Sequence, residues 1–197
     1  MEFGPLIPGQ TPIDDISGLR DRTIRTQSEL NAAEAENIRQ AALKYLAAKP
    51  SRRLVRFDLP WAKKLHADMF GKVWAWAGSF RNSELNIGSA PVQIEQDLAV
   101  LLDDLRSWAD FDMPMLEQSV RLHHGAVRIH PFKNGNGRWS RMLGNIWLRF
   151  HGAGVINWPE ETIGTECEIR MEYIRSVQQA DLGEFESLIR LHERFAD

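Results

Sequence analysis

The chain has 197 residues, a length that fits one domain with a hydrophobic core rather than two full domains. Its 43% of hydrophobic and 26% of charged residues exclude a disordered or fibrous protein. The formal net charge of −3 argues against nucleic acid as a partner, and the single cysteine, Cys167, excludes an internal disulfide or a zinc cluster of cysteines.

The N-terminal part of the chain is predicted to hold an arm followed by a helix. Residues 1–25 carry three prolines, which predicts an irregular arm on the surface. Thr26 and Glu29 have capping-box spacing, so a helix is predicted over residues 26–49, with Glu34 on its apolar face. The N-terminus has neither a basic start nor an apolar stretch, and no apolar run reaches the roughly 18 residues that span a membrane, so we expect a cytoplasmic protein without a membrane partner.

The rest of the chain reads as mainly helical, because apolar residues recur at helical spacing in six further segments. The expected fold class is therefore all-α, with a single domain over residues 26–197. One segment, residues 79–92, mixes apolar residues with Asn, Gly and Pro and predicts a short β-hairpin or extended loop. The six helices are predicted over residues 61–76, 94–108, 116–127, 137–151, 165–180 and 183–194.

Residues 130–141, with the sequence HPFKNGNGRWSR, lie between two of these helices and have the composition of an anion site. Two glycines flanking an asparagine let backbone N–H groups turn the same way, and the following helix adds the positive end of its dipole. Arg138 and Arg141 can clamp a bound anion, and His130 can act as a general base. This predicts phosphoryl or nucleotidyl transfer. The alternative is a helix–loop–helix turn with two solvated arginines.

This segment resembles the signature of the Fic family, His-Pro-Phe-x-(Asp/Glu)-Gly-Asn-Gly-Arg-x-x-Arg, at every fixed position except one. Two further stretches resemble the family in order. The first is WAGSFR followed by Asn86-Ile87-Gly88, which resembles the entry into the flap, and the second is residues 173–183 with ADLG, which resembles the C-terminal end of the family's domain. The likeness covers roughly residues 28–190. The proline-rich arm with HPFxNGNGR resembles the subgroup called mobile mystery protein B, which is carried on mobile genetic elements.

The resemblance implies a Fic fold, a helical bundle with a short β-hairpin flap. It also implies an enzyme that uses ATP and Mg²⁺ to move AMP onto a Ser, Thr or Tyr hydroxyl of a target protein, with pyrophosphate leaving. His130 would deprotonate the hydroxyl, Phe132 would be a buried anchor, and the flap residues Asn86, Ile87 and Gly88 would position the target. The nucleotide-binding residues that it implies are Asn134, Gly135, Asn136, Gly137, Arg138, which would neutralise the leaving phosphates, and Arg141, which would meet the γ-phosphate.

The one departure from the signature is Asn134, where the family has an Asp or Glu that binds Mg²⁺. An amide oxygen can bind Mg²⁺ but brings no charge, so metal affinity and rate should drop. Three readings follow: weak AMP transfer, another nucleotide or phosphate-bearing donor, or a nucleotide-binding interaction module of a toxin–antitoxin-like system. The sequence names neither the target protein nor a separate regulatory partner, nor does it give the oligomeric state.

Many members of this family are inhibited by a glutamate that pairs with the second signature arginine, in the pattern Ser/Thr-x-x-x-Glu-Gly/Asn. The nearest match here is Glu36-Asn37, but Ala32 stands at the Ser/Thr position and Glu36 projects away from the apolar face. Glu34 lies at the centre of that face, where an unpaired carboxylate would be costly, so Arg141 is its predicted partner. The alternatives are a pair with a structural arginine or a place at the edge of the helix interface.

Two other groups of residues are predicted to be structural. His123 and His124 precede His130 on one helix, but no third ligand stands at zinc spacing, which predicts structural histidines. Trp139 and Trp147 fall at core spacing. Trp158, next to Pro159, is expected in a packed loop.

Overall fold

The computed structural model describes residues 16–160 and 168–197. Seven α-helices lie within these ranges, and the same ranges contain isolated bridges but no strand, which confirms the all-α prediction. None of these helices is long and apolar enough to cross a membrane. The helices are α1 (Gln27–Leu46), α2 (Leu59–Phe70), α3 (Ile94–Trp108), α4 (Met115–Ile129), α5 (Asn136–His151), α6 (Glu168–Asp181) and α7 (Glu186–Arg194).

Local capping interactions set the starts of the first two helices. Before α1, Thr26 Oγ1 accepts the N–H of Glu29 at 3.2 Å and Glu29 Oε2 accepts the N–H of Thr26 at 2.9 Å, which is the predicted capping box. Asp58 caps α2 by accepting the N–H of Trp61 at 2.8 Å. This cap starts α2 two residues earlier than predicted, and the helix ends at Phe70 rather than at Trp76.

Helices α4 and α5 form the centre of the molecule. On one side α1, α2 and α3 pack around them and form the main apolar core. On the other side α6 and α7 pack against α4 and form a second, smaller apolar cluster. Leu143 and Ile146 of α5 have no exposed surface, and each such buried side chain stabilises the fold by about 1.5–3 kcal/mol.

The described part of the N-terminal arm, residues 16–25, is irregular and mostly exposed, but two of its side chains reach the core. Leu19 is 4% and Ile24 is 7% exposed, so both belong to the main core. The N–H of Arg20 bonds the carbonyl of Val73 at 2.9 Å, which fastens the arm to the chain after α2. Residues 1–15 of the predicted arm, and the start of the helix predicted over 165–180 with Cys167, lie outside the described residues.

Of the two structures predicted for residues 79–92, a β-hairpin or an extended loop, the hairpin is wrong, since this described segment contains only bends, irregular chain and the start of a short 3-10 helix. Its two ends bond the chain around His130 instead of each other: Arg81 N–H donates to Pro131 O at 2.9 Å and Ser89 N–H to Ile129 O at 3.0 Å. A lone two-stranded hairpin is marginally stable, and these contacts use the backbone groups that would have paired.

The capping box of α1 gives a direct test of how this helix is anchored. Replacing Thr26 with Ala should lower the free energy of unfolding by about 1 kcal/mol, because the N–H of Glu29 loses its acceptor. Urea denaturation measures the change. Ser28→Ala is the control, since Ser28 is exposed in the same turn, and equal losses in both variants would contradict the capping role.

Candidate active site

His130 lies at the junction between α4 and the loop that leads to α5. It is the C-cap of α4, with a left-handed backbone at φ 53° and ψ 58°, and it is 7% exposed. Its Nδ1 lies 3.2 Å from the carbonyl of Val127, so Nδ1–H donates and Nε2 carries the lone pair. Burial lowers the pKa of His130 to about 4, with Arg81 acting in the same direction and the Val127 bond opposing it. The imidazole is therefore neutral at pH 7.

Phe132 is fully buried, as the signature implies, and it packs against the ring of His66. The two ring centroids are 3.7 Å apart and nearly parallel. His66 Nδ1 accepts the N–H of Gly78 at 3.0 Å, so Nε2–H donates to the carbonyl of Asn134 at 3.0 Å. Burial lowers the pKa of His66 to about 3, which keeps it neutral. His66 thus holds the signature loop from α2, a role that the sequence did not reveal.

The side chain of Asn136 closes the signature loop onto itself. Its Oδ1 accepts the N–H of Phe132 at 2.9 Å, and its Nδ2 donates to the carbonyl of Phe132 at 2.8 Å. Asn136 is 2% exposed, so its carboxamide is committed to this pair. Only its backbone N–H, at the first turn of α5, is placed where it could face an anion.

Gly135 opens α5 in a conformation that requires glycine. Its φ is +79°, and a Cβ there would lie 2.6 Å from Cζ of Phe70. The turn directs the first N–H groups of α5, together with the positive end of its dipole, toward one point. Helix starts of this kind bind anions in other proteins, and the anion site stays a prediction for this segment.

Asn134 does not provide a metal site by itself. Its Oδ1 accepts the N–H of Gly135, so the oxygen proposed for Mg²⁺ already has a partner. Mg²⁺ is usually held by one or two carboxylates together with substrate phosphates. Residues 16–160 and 168–197 contain no group of three or more His, Cys, Asp or Glu that could hold a metal ion. The side chains present do not fit a resident Mg²⁺.

Glu34 pairs with Arg138 rather than with Arg141, so its predicted partner is wrong. Arg138 Nη1 donates to Glu34 Oε2 at 2.7 Å, and Trp74 Nε1–H donates to Glu34 Oε1 at 2.6 Å. Glu34 is 3% exposed, as the apolar stripe indicates. Residues three apart on a helix point in directions that differ by about 60°, and only Arg138 faces α1 and the Phe70 ring.

Glu36 takes no part in this site. It is exposed on the opposite face of α1, where its carboxylate accepts from Arg39 Nε at 2.8 Å. This matches the prediction that Glu36 projects away from the apolar face. Of the two glutamates that the sequence offered, Glu34 is the one that reaches the signature segment.

Arg141 pairs with Glu160, a residue to which the sequence gave no role. The guanidinium is 5% exposed, and its Nε donates to Glu160 Oε1 at 2.8 Å while Nη2 donates to Oε2. Burial lowers the pKa of Arg141, but Glu160 outweighs burial and raises it above its ordinary value. Trp158 and Tyr173 lie beside it, with ring centroids 5.9 and 5.5 Å from Cζ. Arg138 and Arg141, the two signature arginines, are therefore both paired with carboxylates.

The flap segment lies directly against His130 although it forms no hairpin. Gly88 has a φ of +107°, and a Cβ on it would lie 2.7 Å from Cβ of His130. Ile87 beside it is 53% exposed. Arg81, 2% exposed, donates from Nε to the carbonyl of His130 at 2.7 Å and from its two Nη atoms to Ser83 O and Ser89 O. Arg81 therefore joins the flap to His130, and this role too was missed.

The structural role predicted for His123 is confirmed, and His124 has one as well. His123 is fully buried between His192 and Tyr173, and His124 Nε2 lies 2.8 Å from Asp181 Oδ1. Trp158 packs against the ring of His123, in agreement with the predicted packed loop. A histidine on an apolar helix face was the only sequence signal for such residues, and it could equally have identified His66.

The chain is similar to known proteins both in sequence and in fold. Residues 56–148 match the model of the Fic/DOC family, and this range contains the whole signature segment. The protein adenylyltransferase fic-1 of Caenorhabditis briggsae is 30% identical over 118 residues, which is 58% of this chain and 22% of that protein. The protein adenylyltransferase Fic of Aedes aegypti is 29% identical over 155 residues, 76% of this chain and 30% of that protein. The chain thus spans less than a third of these curated relatives.

Solved structures confirm the Fic fold. Fic-1 (residues 134–508) from C. elegans superposes with a TM-score of 0.70 at 22% identity, covering 84% of this chain and 48% of that one. The BepC protein, a VirB-translocated effector of Bartonella tribocorum, was solved with bound AMPPNP. It superposes with a TM-score of 0.68 at 17% identity, covering 95% of this chain and 96% of that one.

The buried histidines predict how stability depends on pH. His66, His130 and His192 have pKa values lowered to about 3, 4 and 4, mainly by burial. Above pH 6.5 each is neutral in both the folded and the unfolded chain. Below pH 6.5 only the unfolded chain takes up protons, so folding stability should fall by about 1.4 kcal/mol per pH unit for each histidine.

Urea denaturation between pH 7.5 and pH 5 measures this slope in a range where few carboxylates titrate. His66→Gln, which keeps a hydrogen-bonding side chain, should be less stable than the parent at pH 7.5 but should lose less stability on acidification. A slope that does not change in His66→Gln would contradict the assignment of His66 as a buried neutral histidine.

Proposed function

We propose that this chain, which carries a Fic/DOC family domain over residues 56–148, is a protein adenylyltransferase that moves AMP from ATP to a Ser, Thr or Tyr hydroxyl of a target protein. The proposal is supported mainly by one loop. His130, a neutral and oriented base, lies at one end of the loop, and Gly135 lies at the other end, where the first N–H groups of α5 could bind an anion. The names of the curated relatives support the same activity.

His130 would act as the general base of the transfer. Its Nε2 has the lone pair, and the target hydroxyl would give its proton to this nitrogen while the oxygen attacks the α-phosphorus of ATP. The new bond joins the hydroxyl oxygen to phosphorus, and the bond from phosphorus to the departing pyrophosphate breaks. A pKa of about 4 keeps the imidazole deprotonated at neutral pH, which makes it available although weakly basic.

The first turn of α5 would hold the phosphates. A Cβ on Gly137 would meet only Nη1 of Arg141, at the ordinary distance of 3.5 Å, so packing inside the protein does not call for glycine at this position. A ligand that approaches the backbone closely does call for it. The N–H groups of this turn and the guanidinium of Arg138 would neutralise charge on the departing pyrophosphate.

Mg²⁺ enters the proposal as the ion that ATP carries into the site. Asn134 would offer it one neutral oxygen and would have to give up its bond from the N–H of Gly135. No step of the transfer is assigned to the metal. The flap residues Asn86, Ile87 and Gly88 would position the target segment, because Gly88 lies in contact distance of His130.

Glu34 would hold the enzyme in a self-inhibited state. Its carboxylate pairs with the guanidinium of Arg138, to which the donor phosphates would otherwise bind, and Trp74 Nε1–H donates a hydrogen bond to its second oxygen. A nucleotide must therefore displace a buried, doubly bonded carboxylate before Arg138 can bind phosphate. This cost would lower the activity of the unmodified chain.

A second function rests on the same residues. Asn134 is uncharged, and both signature arginines are paired with carboxylates. These features favour a weakly active or inactive nucleotide-binding module of a toxin–antitoxin-like system. The proline-rich arm and the HPFxNGNGR sequence support a place in the mobile mystery protein B subgroup. Such a module would act in the cytoplasm, and a separate regulatory protein would be a further partner.

Removing the inhibitory carboxylate of Glu34 tests the proposed function. Glu34→Gly should raise the labelling of protein by radiolabelled ATP by roughly 10- to 100-fold, the range expected when a hydrogen bond to a charged group is removed. Glu36→Gly is the matched control, because it makes the same change on the exposed face of the same helix and should leave labelling unchanged. Combining Glu34→Gly with His130→Ala should abolish it.

Gel autoradiography and intact mass, which should show the addition of one AMP, measure the transfer with Mg²⁺ or Mn²⁺ present. If no variant labels any protein with any nucleoside triphosphate while calorimetry still detects nucleotide binding, the binding-module function is the better one. If calorimetry detects no nucleotide binding by the Glu34→Gly variant, both functions are wrong.

A further inference from the structure

A row of buried polar groups lies behind Arg141, and the proposed transfer does not use it. Tyr173 of α6, His123 of α4 and His192 of α7 are 9%, 0% and 1% exposed. His123 Nε2 lies 3.0 Å from the Tyr173 hydroxyl, and His123 Nδ1 lies 3.1 Å from His192 Nε2. Polar groups buried this deeply are costly unless each has a hydrogen-bond partner, so this arrangement needs an explanation.

The direction of each hydrogen bond in this row is set by His192, the member farthest from Arg141. His192 Nδ1 lies 2.7 Å from the carbonyl of Leu188, which can only accept, so Nδ1 carries the proton and Nε2 is the acceptor. His123 must then donate from Nδ1 to His192, which leaves its own Nε2 to accept from the Tyr173 hydroxyl. Burial lowers the pKa of both histidines, so both rings are neutral and these tautomers are fixed.

The consequence falls on Arg141. Its guanidinium Cζ lies 5.5 Å from the centre of the Tyr173 ring. Because the hydroxyl proton of Tyr173 points at His123, the Tyr173 oxygen has only lone pairs to offer the guanidinium. Glu160 pairs with the same guanidinium from another side. Arg141 thus lies between a charged partner, Glu160, and a neutral one, Tyr173.

These two partners, Glu160 and Tyr173, differ in how easily each can move away from Arg141. The side chain of Glu160 is 45% exposed, so it can turn into solvent when a phosphate takes its place. Tyr173 is fixed by its buried partners and stays. A neutral acceptor that remains in place keeps the guanidinium oriented while its charged partner is exchanged.

We propose that Tyr173 is a positioning residue whose hydroxyl, oriented by His123 and His192, fixes the Arg141 guanidinium for the phosphates of the nucleotide donor. The link to the donor rests on the proposed function, while the orientation of Arg141 by Tyr173 does not. The row itself is no metal site, because the ring nitrogens of both histidines are engaged with one another, with Tyr173 and with the carbonyl of Leu188.

The kinetic test compares the two tyrosines of the chain. Tyr173→Phe removes the hydroxyl but keeps the ring. Tyr45→Phe is the matched control, because Tyr45 is also buried and donates its hydroxyl proton to Asp68 at 2.6 Å, away from the signature arginines. In the Glu34→Gly background, Tyr173→Phe should raise the KM for ATP about tenfold with a smaller effect on kcat, whereas Tyr45→Phe should change neither. Equal effects in the two variants would overturn the proposal.

A second test needs no activity. Nitrogen-15 NMR of the unliganded protein should show His123 and His192 neutral and protonated at Nδ1. Exchange of the Arg141 Nη protons with solvent should be faster in Tyr173→Phe than in the parent or in Tyr45→Phe. Protonation at Nε2 in either ring, or unchanged Arg141 exchange, would overturn the proposal. Faster exchange in a protein that transfers no AMP would support the role of Tyr173 and count against the proposed function alone.

Discussion

The closure of one short loop is the constraint on which the rest of the molecule depends. The carboxamide of Asn136 bonds both the N–H and the carbonyl of Phe132, so the chain reverses between α4 and α5 within a few residues. This reversal places the C-terminal end of α4, with His130, beside the N-terminal end of α5, with its unpaired N–H groups. The proposed base and the proposed anion site are neighbours because the loop is tight. His66 of α2 holds the loop in this conformation through its hydrogen bond to the carbonyl of Asn134.

The electrostatics of this site follow from burial. Arg141 is 5% exposed, so its guanidinium could not remain charged there at low cost without a partner, whereas the Arg138 side chain is 30% exposed and lies over the ring of Phe70. In this structure carboxylates supply the negative charge: Glu34 from α1 and Glu160 from the segment before α6. In the proposed function, inhibition by an acid follows from placing cations where phosphates would bind, since the same charge must be balanced when no nucleotide is present.

The sequence was sufficient for features set by local patterns and insufficient for those set by distant contacts. The capping box, the range of α3 and the burial of Glu34 follow from residue spacing alone. The partner of Glu34 depends on which side of α5 faces α1, and spacing along α5 cannot give that. The hairpin prediction failed for a related reason, because the backbone groups of the flap bond the chain near His130, some 40 residues away. Arg81 and Glu160 gave no signal because exposed and buried charges look alike in a sequence.

The two carboxylates are not equivalent, and this determines where regulation can act. Glu160 has a side chain that is 45% exposed, so it can leave by rotating into water. Glu34 has a side chain that is 4% exposed, lies in the middle of a 20-residue helix and bonds Trp74 as well as Arg138. It can leave only if α1 shifts as a unit away from α2 and α5, against the burial of Leu30 and Tyr45. In the proposed function, a regulator that withdraws Glu34 from Arg138 would therefore act on the packing of α1, whereas Arg141 can exchange its partner while the fold stays as it is.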